Sequence, residues 1–258
     1  MLRTRALSAV VLTPVVAAVI WLGGVPLLVC LLVIGILAWM ELANLLRASG
    51  HQPNVWPGGL LTVLFIGEAH FWPSSGSRAA FAAALLLSLT WALFQQRPLS
   101  ASDWAITLAG SLYLGVLLGH FALTRALPSG VAWLAVGVLA TWVNDTGAYF
   151  VGSTLGRHQL SPRWSPKKTW EGLAGGVVLT MLLMVWPFAR FLPVSPAEGA
   201  LLGLIVGVLA TLGDLAESMF KRQAGVKDSG RLIPGHGGML DRIDSLLFVI
   251  PGVYYFAL

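Results

Sequence analysis

The chain has 258 residues, 57% of them hydrophobic and 10% charged, with a mean hydropathy of +0.80. Soluble domains carry about 25% charged residues, so a soluble enzyme is excluded and a bilayer-embedded protein remains. The formal charge of +5 comes from 16 Lys and Arg against 11 Asp and Glu. The basic residues lie in short loops between apolar runs, with no basic tract and no aromatic-interleaved polar face, so nucleic acid is not an expected partner.

The apolar segments are continuous rather than alternating, which argues against a transmembrane β-barrel and predicts an all-α, polytopic fold. Nine spans are expected near residues 6–22, 25–46, 55–72, 79–95, 104–124, 131–151, 172–192, 198–220 and 239–257. The first is short and contains Pro14. It follows Arg3 and Arg5 as the apolar stretch of a signal peptide would, but the next run comes without a polar break or a small-residue cleavage site, so it is read as a span. Cys30 is the single cysteine; it lies inside the second run, permits no intrachain disulfide and is read as packing.

Orientation follows from the basic residues. With nine spans, one side holds the N-terminus and the loops 47–54, 96–103, 152–171 and 221–238. Thirteen basic residues fall there: Arg3, Arg5, Arg47, Arg97, Arg157, Arg163, Lys167, Lys168, Lys221, Arg222, Lys227, Arg231 and Arg242. Arg78, Arg125 and Arg190 are the three on the other side. The N-terminus and both long polar loops are therefore expected in the cytosol, and the C-terminus outside. Residues 141–245 hold ten of the basic and eight of the acidic residues. The chain is accordingly divided into a transmembrane scaffold, 1–130, and a catalytic region, 131–258, within one continuous membrane domain. Small residues recur at four-residue spacing (Gly115 with Gly119, Gly172 with Gly176, and Gly199, Gly203 and Gly207), as ridges for close helix packing within the chain or as a dimer seam.

Acidic side chains inside membrane spans are costly and usually functional. Asp214, Glu217, Ser218 and Lys221 stand at i, i+3, i+4 and i+7, on one face at the cytosolic end of the eighth span, with about 10 Å of helix between Asp214 and Lys221. A plain Glu217–Lys221 ion pair is the competing reading, but it leaves Asp214 unexplained. Asp241 and Asp244 repeat the i, i+3 pattern where the last span begins, with Arg242 between them pointing elsewhere; favourable interaction with the helix dipole would explain them without function. Carboxylates from two helices at one leaflet suit a divalent cation better. Hard oxygen ligands without Cys favour Mg²⁺ over Zn²⁺, and Asp214, Glu217, Asp241 and Asp244 are the candidate ligands.

Before Asp241 runs Pro234-Gly235-His236-Gly237-Gly238, a glycine-rich turn whose backbone N–H groups are expected to face an anion. Lys221, Arg222, Lys227 and Arg231 surround it. His236 is open to three readings: phosphate donor, leaving-group acid or loop hydrogen bond. The other cytosolic loop, Ser165-Pro166-Lys167-Lys168-Thr169-Trp170-Glu171-Gly172, sets two lysines and two hydroxyls before a helix, as polyphosphate binding needs; lysines at a membrane edge are also ordinary anchors. Asn144 and Asp145 sit in the cytosolic end of the sixth span as a further metal ligand or sugar contact. No Walker A pattern occurs, and no G-x-G-x-x-G follows a strand. His51, His70, His120 and His158 show no ligand spacing.

Ser218-Met219-Phe220-Lys221-Arg222, Lys227-Asp228, Pro234-Gly235-His236-Gly237-Gly238 and Asp241-Arg242-Ile243-Asp244-Ser245 resemble the signature of the phosphatidate cytidylyltransferase (CDP-diacylglycerol synthase) family. Asn144-Asp145-Thr146-Gly147-Ala148-Tyr149 and the Ser165–Gly172 run resemble its upstream motifs. The likeness covers residues 141–246; the first 140 agree only in hydropathy. It implies the reaction CTP + phosphatidate → CDP-diacylglycerol + pyrophosphate in a bacterial inner membrane, Mg²⁺ as cofactor with room for a monovalent cation such as K⁺, and a homodimer. It implies a metal centre on Asp214 and Asp241, with Asp244 a weaker ligand. Catalysis is then expected of Asp214, Lys221, Arg222, Asp241 and His236. Substrate binding is expected of Asn144, Asp145, Ser165, Lys167, Lys168, Thr169, Glu171, Ser218, Lys227, Asp228, Gly237, Gly238 and Arg242.

The residues read by themselves point the same way. Attack of a lipid phosphate on a nucleotide's α-phosphorus needs positioning and neutralisation of charge on oxygen, and no protein nucleophile. Two other readings stand beside it. A cation transporter would want its acids near the midplane, often on broken helices, whereas these crowd one end. Another polytopic lipid-phosphate transferase would use a different nucleotide or lipid.

Overall fold

The computed structural model describes residues 13–73, 78–95, 100–186, 190–232 and 237–258. Among them the chain forms nine helices and one small hairpin. These are α1 (Thr13–Leu22), α2 (Gly24–Ala48), α3 (Val55–Phe71), α4 (Arg78–Leu93), α5 (Ala101–Ala126), α6 (Gly130–Leu155), β1 (Gln159–Ser161), β2 (Ser165–Thr169), α7 (Trp170–Val185), α8 (Pro196–Gln223) and α9 (Leu240–Ala257). The all-α, multi-pass reading holds. Three helices, α2, α5 and α8, are long and apolar enough to cross a membrane by themselves, and α1, α3, α4 and α7 are shorter apolar helices. Two expected spans differ in their described extent, the start of the first lying outside the described residues. The first, expected from residue 6, is described only from Thr13, and the seventh, expected to 192, ends as a helix at Val185.

The chain divides into two compact units. One comprises Met1–Ala126 with Phe220–Arg242, the other Leu127–Met219 with Ile243–Leu258. The divisions fall inside α8 and α9.

In the first unit α3 and α5 cross closely because Gly115 and Gly119 carry no side chain. A Cβ on Gly115 would stand 2.9 Å from the Thr62 carbonyl oxygen, and one on Gly119 2.9 Å from Ala69 Cβ. Trp39 of α2, 1% exposed, lies over Gly58 and Gly110 and donates from Nε1 to the Val55 carbonyl at 2.8 Å. The Arg125 guanidinium donates to the carbonyls of Ile20 and Trp21 at 2.9 and 3.1 Å. These are end groups of α1 that its own helix leaves without partners. Val25, Val29, Val33, Ile36 and Met40 form an exposed stripe along α2, the face a helix turns to lipid.

In the second unit Gly172 and Gly176 of α7 meet α6, and Gly199, Gly203 and Gly207 of α8 meet α7. All three predicted ridges thus serve packing within the chain, and a dimer would need another face. A cluster of Trp133, Val136, Met184, Leu202, Val206 and Val249 fills the space between the helices. At about 1.5 Å per residue the 28-residue α8 is about 42 Å long, more than the roughly 30 Å of hydrocarbon. Its polar last turns therefore have length to reach beyond the apolar layer.

Candidate active site

The polar loop between α6 and α7 holds a two-stranded hairpin, β1 with β2. β1 and β2 pair antiparallel, Gln159 opposite Thr169 and Ser161 opposite Ser165, and the Trp170 N–H donates to the His158 carbonyl at 2.9 Å. Thr169, at the N-cap of α7, accepts the Gly172 N–H at 3.1 Å, which gives one orphan donor of the helix a partner. Glu171 ties the other strand: Oε2 accepts the N–H groups of Arg157 and His158 at 3.1 and 3.2 Å, and Oε1 lies 2.5 Å from His158 Nδ1. The His158 contact and these N–H groups hold the Glu171 carboxyl at about 2, below its ordinary value. Thr169 and Glu171, both expected at the substrate, here have structural partners.

Successive side chains of a strand face opposite ways, and β2 thereby separates the two lysines. Lys168 Nζ meets Asp214 Oδ2 at 2.8 Å; Lys167 is exposed. Asp214 also accepts from Ser218 Oγ at 3.2 Å and keeps 37% of its side chain exposed. Glu217, one helical step away, is fully buried. Asn144 and Asp145 part in the same manner: Asp145 is exposed, whereas Asn144 is 1% exposed against Gly176 and Gly207. The Asn144 Oδ1 atom has no hydrogen-bond partner among the described residues. Asp244 lies where Gly213 lets α8 approach the α9 backbone; a Cβ there would stand 2.5 Å from the Asp244 carbonyl.

The first unit holds the second carboxylate cluster. α8 ends at a left-handed Gly225 (φ 69°), with the Val226 N–H returning to the Lys221 carbonyl at 2.9 Å and Arg222 Nη1 donating to the Val226 carbonyl at 3.1 Å. Lys221 Nζ donates to Asp241 Oδ1 at 2.7 Å. Asp241 Oδ2 accepts the Gly238 N–H at 2.8 Å and the Ser229 N–H at 2.9 Å, and faces Ser229 Oγ at 2.9 Å. Lys227, Asp228 and Arg242 are exposed. Gly237 adopts φ 84° beside Asp241. His236 lies outside the described residues. Of the turn's N–H groups expected to face an anion, that of Gly238 is the one donated to Asp241; just beyond the turn, the N–H groups of Met239 and Leu240 donate to Glu41 Oε1 and Oε2 at 2.9 Å each.

Glu41 was missed by the sequence reading, which treated the first 140 residues as scaffold. The signal was present: a carboxylate in the middle of an apolar run is as costly there as in the eighth span. The face of α8 that gathers Asp214, Ser218 and Lys221 is shared out differently as well, since Asp214 takes Lys168 and Lys221 takes Asp241. Among the described residues no three His, Cys, Asp or Glu side chains converge as a metal cage. Mg²⁺ needs none, because it keeps waters and is bound by one or two carboxylates together with substrate phosphates. The donors are hard oxygens, and each of Asp214 and Asp241 already holds a lysine ammonium, a cation in contact with the carboxylate. That donor set fits the ion.

These features define a multi-pass helical membrane protein whose carboxylates and lysines are gathered at helix ends and loops. The cytidylyltransferase family profile matches residues 3–258. A phosphatidate cytidylyltransferase of Bacillus subtilis (strain 168) is 34% identical over 256 residues, covering 95% of each chain. Those of Staphylococcus haemolyticus and Staphylococcus aureus (strain COL) are 32% and 33% identical, each match covering 97% of this chain and 96% of the relative. The chain belongs to the cytidylyltransferase family and is a nucleotidyltransferase enzyme.

Proposed function

We propose that this enzyme transfers the cytidylyl group of CTP to phosphatidate, giving CDP-diacylglycerol and pyrophosphate, at the cytosolic face of a bacterial inner membrane. The observation that carries the reading is the partly exposed Asp214–Lys168 pair at the mouth of a basic hairpin, in a chain whose relatives at about a third identity bear that activity in their names. A phosphatidate phosphate oxygen forms a new bond to the α-phosphorus as the bond to pyrophosphate breaks. Lys167, exposed on the hairpin, binds the nucleotide phosphates. Arg222 and Lys227 neutralise the pyrophosphate, and the acyl tails stay in lipid. Asp214 and Asp241 are the residues that would hold Mg²⁺. When bound, the ion supplies charge neutralisation at the phosphate oxygens. The excess of basic residues in the N-terminus and the loops that hold Lys168 and Lys227 supports their cytosolic orientation.

The test is turnover by the purified protein in mixed micelles of phosphatidate with labelled nucleotide. Label from CTP should enter the lipid phase with one pyrophosphate released per lipid, and much less from other nucleoside triphosphates. Incorporation from another nucleotide, or into another lipid phosphate only, would replace the substrate assignment. No incorporation at all, with cation flux in liposomes, would overturn it.

A further inference from the structure

The sequence motifs leave Glu41 out, although it is tied to the loop that holds Asp241. Its Oε1 accepts the Met239 N–H, and its Oε2 accepts the Leu240 N–H, at 2.9 Å each. The same Oε2 lies 2.9 Å from Ser229 Oγ, which lies 2.9 Å from Asp241 Oδ2. A hydroxyl has one proton, and ionised carboxylates only accept. Ser229 can therefore donate to one of the two acids at a time, and which one is set by how strongly each draws the proton. The backbone is shaped to this arrangement. A Cβ on Gly230 would stand 2.6 Å from Glu41 Oε1, and one on Gly238 would collide with both Glu41 Oε2 and Ser229 Oγ.

A helix N-terminus gains from one nearby carboxylate, and Asp241 already supplies it for α9. Glu41 comes from α2, 188 residues before Ser229; it shares Ser229 with Asp241 and grips Met239 and Leu240, the two residues between Asp241 and its partner Gly238. We infer that Glu41 is a positioning residue for cytidylyl transfer: through Ser229 and the turn at 238–240 it fixes where Asp241, and with it Lys221, stands. The inference rests on the reading of Asp241 and Lys221 as part of the transfer site.

The test is steady-state kinetics of purified Glu41→Gln, Ser229→Ala and the double variant in mixed micelles, normalised to folded protein, with Asp241→Asn alongside. Glutamine keeps one acceptor but turns an amide donor toward the Leu240 or Met239 N–H. We expect kcat to fall by about 10- to 100-fold with both KM values within about threefold, as for contacts that act on the transition state. Ser229→Ala should show the same split, and the double variant should fall less than the product of the single losses. Unchanged kcat per folded molecule in Glu41→Gln would overturn the inference and make Glu41 a cap of α9 only. If Glu41→Gln does not fold, Ser229→Ala decides: a kcat loss at constant KM supports the inference, and wild-type kcat overturns it. Wild-type kcat in Asp241→Asn would sink the site assignment and the inference with it. Loss in Asp241→Asn with full activity in Glu41→Gln would sink the inference alone.

Discussion

Asp214, toward the C-terminal end of α8, and Asp241, in the first turn of α9, are each bonded to one lysine, yet their surroundings differ. Asp241 has 7% of its side chain exposed and is met by Lys221, two N–H groups and a hydroxyl. Asp214 has 37% exposed and is met by Lys168 and one serine. A buried carboxylate with several donors is held in one place, whereas a partly exposed one with two donors leaves room for another partner. The two acids of one signature thus differ in setting: Asp241 is the enclosed carboxylate, and Asp214 the open one.

The sharpest way to break this contrast is to remove the lysines. Lys221→Ala leaves the buried Asp241 charge without its cation, which should destabilise the first unit by about 3–5 kcal/mol. Lys168→Ala acts on a partly exposed, solvent-screened pair and should cost less than about 1 kcal/mol. Thermal unfolding in detergent separates them; equal losses would erase the distinction. A smaller effect should come from Lys167, which faces away from Asp214. If Lys167 binds the nucleotide phosphates as proposed, its loss removes a charge-assisted contact of about 1.5–3 kcal/mol, or roughly 10- to 150-fold. Lys167→Ala should then raise KM for CTP by that factor, leave kcat near wild type and hardly change KM for phosphatidate. A fall in kcat instead would put the lysine on the leaving pyrophosphate, and no change in either would make it a membrane-edge anchor.

The smallest effect is expected at the hairpin base. Because the folded Glu171 carboxyl sits at about 2, below the ordinary glutamate value near 4.5, its contribution is complete above about pH 4.5. It is lost as the pH falls toward 2. Amide exchange at Arg157 and His158 should lose protection over that window in wild type. In Glu171→Gln the low protection should be independent of pH; a wild-type profile in that variant would remove Glu171 from the tie.

Much of this was legible in the sequence because lipid enforces it. Continuous apolar runs must be helices whose backbone groups are satisfied within the segment, and the three glycine ridges announced close packing. The hairpin at 159–169 was not legible, since Pro166 and a run of polar residues give no alternation of apolar side chains. Nor could spacing on one helix assign partners. Asp214 and Lys221 share a face of α8, but a neighbouring lysine or carboxylate brought by another element wins each of them. Glu41 escaped notice because it is the single acid of its run, and its partners are two backbone N–H groups and a serine 188 residues away, which no local side-chain pattern reveals.

The most direct test of the account is the turnover of purified Asp214→Asn with labelled CTP and phosphatidate at saturating Mg²⁺, measured on protein whose thermal unfolding matches wild type. The account predicts that the variant folds normally, because the open carboxylate contributes little to stability, and that CDP-diacylglycerol formation falls by at least about 100-fold, the scale of a lost electrostatic contact to the transition state. Retention of most wild-type turnover would contradict it.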